Sequence, residues 1–429
     1  MIPELREGYL REFSAEKYTR LLGRLEDVSG TKTAFRIAET PVFVREELLR
    51  AMAREGEALL QALMGDAAYL TAARQAIPSG YCVAGETAHP HFLTADFALV
   101  READGALSPR LVEIQAFPSV FAFQAMLGAA YQEVFGLDPE LRTFLGGLEE
   151  ADYWDLFAKT VVGDEEPEQV VLTEVDPGKQ KTLPDFLVTA KRLGIAVVDI
   201  ASLEPQGDTL HYRDAGGRRI PILRIYNRAI AEELAARGVK LPFDLTRPWN
   251  VRWAGHPNWY FLVSKFSLPR FWRSDAGRRV VPPAVFLSEF LGGSGRAELE
   301  AAGVPLPQPG PKAVYDELLL KPLFSFAGKG IEFAPTEARL KSIPQRERPG
   351  YLLQQRMRFE PTIATPQGAT QAEFRILYLW PEGGPLTPAL TLVRLGRGRM
   401  MGVDHNRNQE WVGASAAFFP GEESTGNRK

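Results

Sequence analysis

The chain has 429 residues, with 50 Lys and Arg against 54 Asp and Glu and a net charge of -4. That length exceeds what one ordinary core fills and predicts two or three packed units, and 45% hydrophobic with 24% charged residues is the balance of a globular chain rather than a disordered one. The charge excludes a general nucleic-acid binder, which carries a basic excess, but leaves room for a local basic cleft for small anions.

The N-terminus, MIPELREGYLREF, carries acids early and has no apolar core, unlike a secretory signal. No apolar run approaches the roughly 20 residues that span a bilayer. Cys82 is the single cysteine, so neither an intrachain disulfide nor a thiolate metal cluster can form. A reduced, cytoplasmic protein with no nucleic-acid or membrane partner is expected.

The first 75 residues read as helical, most clearly Arg45–Met64, where apolar residues recur at helical spacing without proline. From Phe92 the pattern becomes two strand-like runs around Asp104-Gly105, a hairpin signal. Phe121–Phe135 reads as a helix. Gln169–Ile200 reads as strand, helix, strand, with Gly194 closing the helix. A second hairpin is expected over Leu210–Tyr226. Pro305–Pro311 (PLPQPGP) reads as a linker, and Lys312–Phe419 as a β-rich unit with a polar, frayed end. The expected division is a helical segment over 1–85, an acidic hairpin with a βαβ unit over 86–304, and a β-rich unit over 305–429.

A two-residue turn at Asp104-Gly105 would place Asp96 opposite Glu113, with both side chains and that of Gln115 on one face. Two adjacent carboxylates repel and call for a cation, and Mg²⁺ with carboxylate and amide oxygen ligands would satisfy them. Solvated acids on an exposed strand, or a longer loop through Ser108-Pro109 with slipped register, are the other readings.

Further along, LLLKPLFSFAGKGIEF places Lys321 at a strand end, before a loop with Gly328, Lys329 and Gly330. Such a loop can offer backbone N–H groups to phosphates, and lysine adds a point charge. The Walker A spacing is absent, and a plain hairpin with a basic tip is the alternative. Lys265 lies among large apolar residues, so it either snorkels to the surface or meets an anion in a cleft. Gln354 and Gln355 sit on an apolar strand, suited to the wall of an adenine pocket or merely ordinary strand polar residues. Glu373 and Arg375 share one side of their strand. Arg394 follows, then Asp404, His405, Asn406 and Asn408, as part of a phosphate and metal site or as surface turn residues.

In order, these pieces resemble the synthetase part of glutathionylspermidine synthase and its relatives, which have an ATP-grasp fold with rearranged strand order. The matching positions are Asp96, then Glu113-Ile114-Gln115 and Pro118, the βαβ unit, Lys265, Lys321-Pro322 with the glycine loop, Gln354-Gln355 and Arg394. The resemblance implies a mixed α/β, ATP-grasp-like fold and two cofactors, ATP and Mg²⁺. It implies Asp96, Glu113 and Gln115 on the metal, Lys265 and Lys321 on phosphates, Gln355 near adenine, and Arg394 on the transferred phosphoryl group. Three departures stand out: Thr94 replaces an Arg, Gln115 replaces an Asn, and Phe326-Ala327 replaces Arg-Glu in the glycine loop. Only the ligase half of that family is expected.

The implied reaction joins a small-molecule or peptide carboxylate to an amine through an acyl phosphate, by positioning and charge neutralisation rather than a protein nucleophile. One rival is a nucleotide-binding relative with little turnover. Another is a metal site at His89, His91 and His256, although no HExxH is present.

Overall fold

The computed structural model describes residues 1–325, 328–402, 406 and 408–421. The N-terminal segment is helical, as its periodicity predicts, in Pro3–Glu12, Ala15–Ser29, Glu46–Met64 and Ala67–Ala76. Two of these starts are set by local side chains: Ser14 accepts from the Lys17 N–H and Asp66 from the Tyr69 N–H, satisfying donors that a helix start leaves open. Among the described residues no helix is long and apolar enough to cross a membrane.

The central sheet runs in the order Val42–Phe43, Gly413–Pro420, Thr387–Gly396, Thr370–Leu379, Phe92–Arg101, Leu107–Gln115, with two short strands beside it. The first pairing is parallel and the others along this path are antiparallel. The acidic hairpin near residue 100 thus joins strands that come some 275 residues later, and the expected boundary at 305 separates partners within one sheet.

Alternation divides this sheet into two faces. One carries Leu93, Ala95, Phe97, Phe374, Ile376 and Tyr378 and packs against Glu46–Met64. Gly56 of that helix lies where a Cβ would strike the Tyr378 hydroxyl, which itself donates to the Ala53 carbonyl at 2.8 Å; the missing side chain lets the helix reach the sheet. The other face is apolar at one end, through Phe92, Leu377, Leu390 and Ala416, under the helix Phe121–Phe135. That helix is buried nearly all round, because the βαβ helix Leu183–Leu193 packs on its far side. At its other end the same face turns polar.

The βαβ unit forms as expected: Val170–Glu174, Leu183–Leu193 and Ala196–Asp199, with Gly194 left-handed at φ 71° as a helix end of this kind requires. Its sheet is parallel, in the order Arg252–Ala254, Arg224–Asn227, Val170–Glu174, Ala196–Asp199. The second hairpin is part of a small sheet of Glu204–Gln206, Thr209–Arg213 and Arg219–Pro221. A further antiparallel sheet of Ala284–Phe286, Tyr351–Gln355, Leu318–Pro322 and Glu332–Phe333 carries the glycine loop.

Candidate active site

The acidic pair forms, although its turn is not the expected one. Glu102 N–H donates to the Ala106 carbonyl and Gly105 N–H to the Glu102 carbonyl, both at 2.9 Å. The turn therefore has three residues, with Gly105 at φ 87°, and near it Phe97 pairs with Leu111. A β-bulge at Val112 then inserts one residue, and Asp96 pairs with Glu113 and Thr94 with Gln115. The two shifts cancel.

Beside this pair the sheet adds Arg375, the cross-strand partner of Asp96, and then Glu373 paired with Arg394. Register puts all five charged side chains on the polar end of one face. Arg375 donates to Asp96 through both fork nitrogens, Nε to Oδ1 and Nη2 to Oδ2, each at 2.6 Å. Arg394 reaches both Asp96 and Glu373, while its Nε is buried without a hydrogen-bond partner. Asp96 is fully buried.

Lys265 lies in the 3-10 turn Lys265–Ser267 and is 2% exposed, so it is held inside the protein rather than at the surface. Its Nζ donates to the Ser325 carbonyl at 2.5 Å and stands 3.3 Å from Glu113 Oε2. Burial works against the charge on Glu113, but Lys265, Arg375, Arg394 and Lys321 outweigh it and hold this carboxyl below the usual range. Glu373 moves the other way: burial pushes its pKa up, further helped by Asp96 and opposed by Arg394.

From the glycine-loop sheet, Lys321 Nζ donates to Gln354 Oε1 at 2.6 Å. Gln354 Nε2 is buried with no partner. Burial pushes the Lys321 amine down to about 8, against the pull of Glu113. Gln354 pairs with Leu319 and so shares a face with Lys321, whereas Gln355 pairs with Leu318 and belongs to the opposite face. Of the two candidates for an adenine wall, Gln354 is the one beside the lysine. Gly328 and Gly330 are left-handed at φ 74° and 73°, and a Cβ on Gly330 would lie 2.7 Å from Pro322 Cγ. Lys329 is exposed at the loop. Phe326, Ala327, Asp404 and His405 lie outside the described residues. Asn406 is a structural residue, its amide donating to the carbonyls of Met400 and Gly402.

The structure thus brings Asp96, Glu113, Lys265, Lys321, Gln354 and Arg394 into contact or near contact in one buried cluster. Gln115 lies on the same face as Glu113, next along the strand. As a metal site the set does not fit its expected role: both Asp96 oxygens are held by Arg375, and Glu113 already faces Lys265. Among the described residues no three His, Cys, Asp or Glu groups converge in metal-holding geometry. That includes the histidines: His89 stacks on Trp380 at 3.9 Å, His91 is buried 3.6 Å from Glu382, and His256, pushed down to about 4 by burial, meets the Ala84 carbonyl.

Sequence reasoning missed two groups. Arg375 was placed beside Glu373, but no local signal tied it to Asp96. Glu232, in the short helix Ala231–Ala236, reads as an ordinary helix acid. Its Oε2 is buried without a hydrogen-bond partner, and burial raises its pKa to about 7, with Tyr260 and Lys265 pulling the other way.

No family model matches the chain, and no curated protein is similar to it in sequence. Among solved structures it is similar to a glutathione synthetase-like effector from Globodera pallida in its apo form. The TM-score is 0.55 at 11% identity, covering 93% of this chain and 96% of that one. The chain has a glutathione synthetase and ATP-grasp-like fold. A putative gamma-glutamylcysteine synthetase from Methylobacillus flagellatus KT covers 84% of this chain and 85% of its own at 13% identity, with a TM-score of 0.37, too low to carry an argument. At such identities the likeness is one of fold alone, and nothing in it bears on glutathionylspermidine synthase.

Proposed function

We propose that the chain binds ATP between the central sheet and the glycine-loop sheet and uses it to join a carboxylate to an amine. The observation that carries this reading is the convergence of Lys265, Lys321, Arg375 and Arg394 there, with a buried, unpartnered Gln354 amide beside Lys321. A cluster of buried cations suits a polyphosphate, and an orphaned amide donor calls for an acceptor from a ligand.

In this reading Lys265 and Lys321 neutralise phosphate oxygens, Gln354 Nε2 donates to the nucleotide, and Arg394 stabilises the phosphoryl group in transit. A carboxylate oxygen attacks the γ-phosphorus, and ADP leaves. The amine nitrogen then attacks the acyl carbon, phosphate leaves, and the surplus amine proton needs an acceptor. Glu232, with its pKa near 7, is matched to that task at neutral pH. Glu232→Gln is expected to lower kcat for ligation by about 10²-fold or more, with ATP affinity unchanged; an equal loss in ATP affinity would assign Glu232 to binding instead.

The test of the reaction is trapping. With ATP and a library of amino acids and small peptides, hydroxylamine in place of the amine should capture the acyl phosphate as a hydroxamate. ATP binding without any hydroxamate would favour the second reading, a nucleotide-binding protein with little turnover. Thr94 in place of an arginine, and the Arg375 clasp on Asp96, are the features that speak for it.

A further inference from the structure

Asp96 and Glu113 face each other across one pairing of the sheet, an arrangement that requires a cation between or beside them. The next strand supplies one. Arg375 stands in the same cross-strand row, its fork closed on both Asp96 oxygens at 2.6 Å, its Nη2 3.9 Å from Glu113 Oε1. A guanidinium fits a carboxylate as a planar, bidentate partner, and this one is almost wholly buried. For a metal ion to reach Asp96, Arg375 would have to let go, and a buried guanidinium would be stranded without its acid.

We propose that Arg375 is the built-in cation of this site, filling between Asp96 and Glu113 the place that a divalent metal ion would otherwise take, so that the chain binds its nucleotide without holding a metal ion of its own. The proposal rests on the ATP reading for its nucleotide part. Its metal part stands on the clasp alone. Four cations stand beside Asp96, Glu113 and Glu373, and Lys265 and Lys321 add the charge that a polyphosphate needs once Arg375 is committed to Asp96. Arg375 is a positioning residue here: it acts on the phosphates by fixing Asp96 and Glu113, not by touching them.

Two measurements on the full chain decide it. In the first, Mn²⁺ is titrated into nucleotide-free protein and bound metal is read by electron paramagnetic resonance. The wild type should hold no ion in the micromolar range, whereas Arg375→Met, in which Asp96 keeps only Arg394 and Glu113 only Lys265 as ion-pair partners, should gain one. A wild-type micromolar Mn²⁺ site would overturn the proposal, and this arm needs no variant if Arg375→Met fails to fold. In the second, ATP is titrated calorimetrically into the wild type with EDTA or with Mg²⁺. The two affinities should agree within about threefold, well under the tenfold that corresponds to about 1.4 kcal/mol. A drop of tenfold or more in EDTA would overturn the proposal while leaving ATP binding intact. No binding in either buffer would overturn the ATP reading and the nucleotide part with it, and the Mn²⁺ result would still judge the clasp.

Discussion

Lys321→Ala is expected to remove half or more of the thermal stabilisation that ATP confers on the wild type. At about 100 times its Kd, a ligand adds roughly 2.7 kcal/mol to the folded state, and a charge-assisted hydrogen bond lost from a buried site removes about 1.5–3 kcal/mol of binding. The variant should therefore bind ATP roughly 10- to 100-fold more weakly, and at the same ATP concentration it should gain only about 0.4–1.4 kcal/mol. A variant that still shifts like the wild type would place the phosphates elsewhere.

The same lysine gives the reading a pH signature. Burial holds its pKa to about 8, below the usual 10.5. The amine is thus easier to deprotonate in the folded chain than in the unfolded one. Its charge burdens the free protein below pH 8, and that burden is relieved as pH rises from about 8 towards 10.5. Nucleotide binding runs the opposite way. Phosphate needs the ammonium, so wild-type ATP affinity should fall as pH climbs past about 8, and this slope should vanish in Lys321→Ala.

The second large effect lies away from the cleft. Asp185 and Arg228 form an ion pair at 2.9 Å, with side chains 1% and 3% exposed. Asp185 also accepts from the Phe123 N–H at 2.9 Å, at the start of the helix Phe121–Phe135, just after Val120 at φ 55°. Arg228 lies over the rings of Phe117 and Phe186. The pair thus ties the βαβ unit to the turn that leads out of the acidic hairpin. Asp185→Asn keeps the shape but strands a buried guanidinium, and should cost about 3–5 kcal/mol in urea unfolding. Adding Arg228→Met should restore a large part of that loss, because the two changes act on one interaction. A cost below about 1 kcal/mol for Asp185→Asn would mean that water reaches the pair.

What the sequence made legible was local. Helical spacing placed Arg45–Met64, the turn signal placed the hairpin, and Gly194 marked a helix end. The pairing of Asp96 with Glu113 came out right through two compensating departures, the three-residue turn and the bulge at Val112, and neither leaves a periodic trace. What stayed hidden was non-local. The bond from Arg375 to Asp96 spans 279 positions and depends on which strand lies beside which, an order that alternation cannot encode. Hence the metal reading of the acidic pair took no account of a guanidinium that a later strand lays beside it. The choice between Gln354 and Gln355 turned on a one-residue register with Leu318–Pro322. Glu232 acquires its properties from burial contributed by distant segments, so its helix gave no sign of them.

The placement of Thr370–Leu379 and Gly413–Pro420 inside a sheet begun near residue 92 also governs how the chain can be made. During synthesis the N-terminal helices and the hairpin emerge first, with Asp96 and Glu113 already facing each other and the neutralising strand not yet translated. The edge strand Val42–Phe43 has no strand partner until Gly413–Pro420 leaves the ribosome. A nascent chain stalled before residue 370 would therefore carry an open sheet edge and an Asp96 without its two guanidinium partners, and the sheet can close only once Gly413–Pro420 has been made.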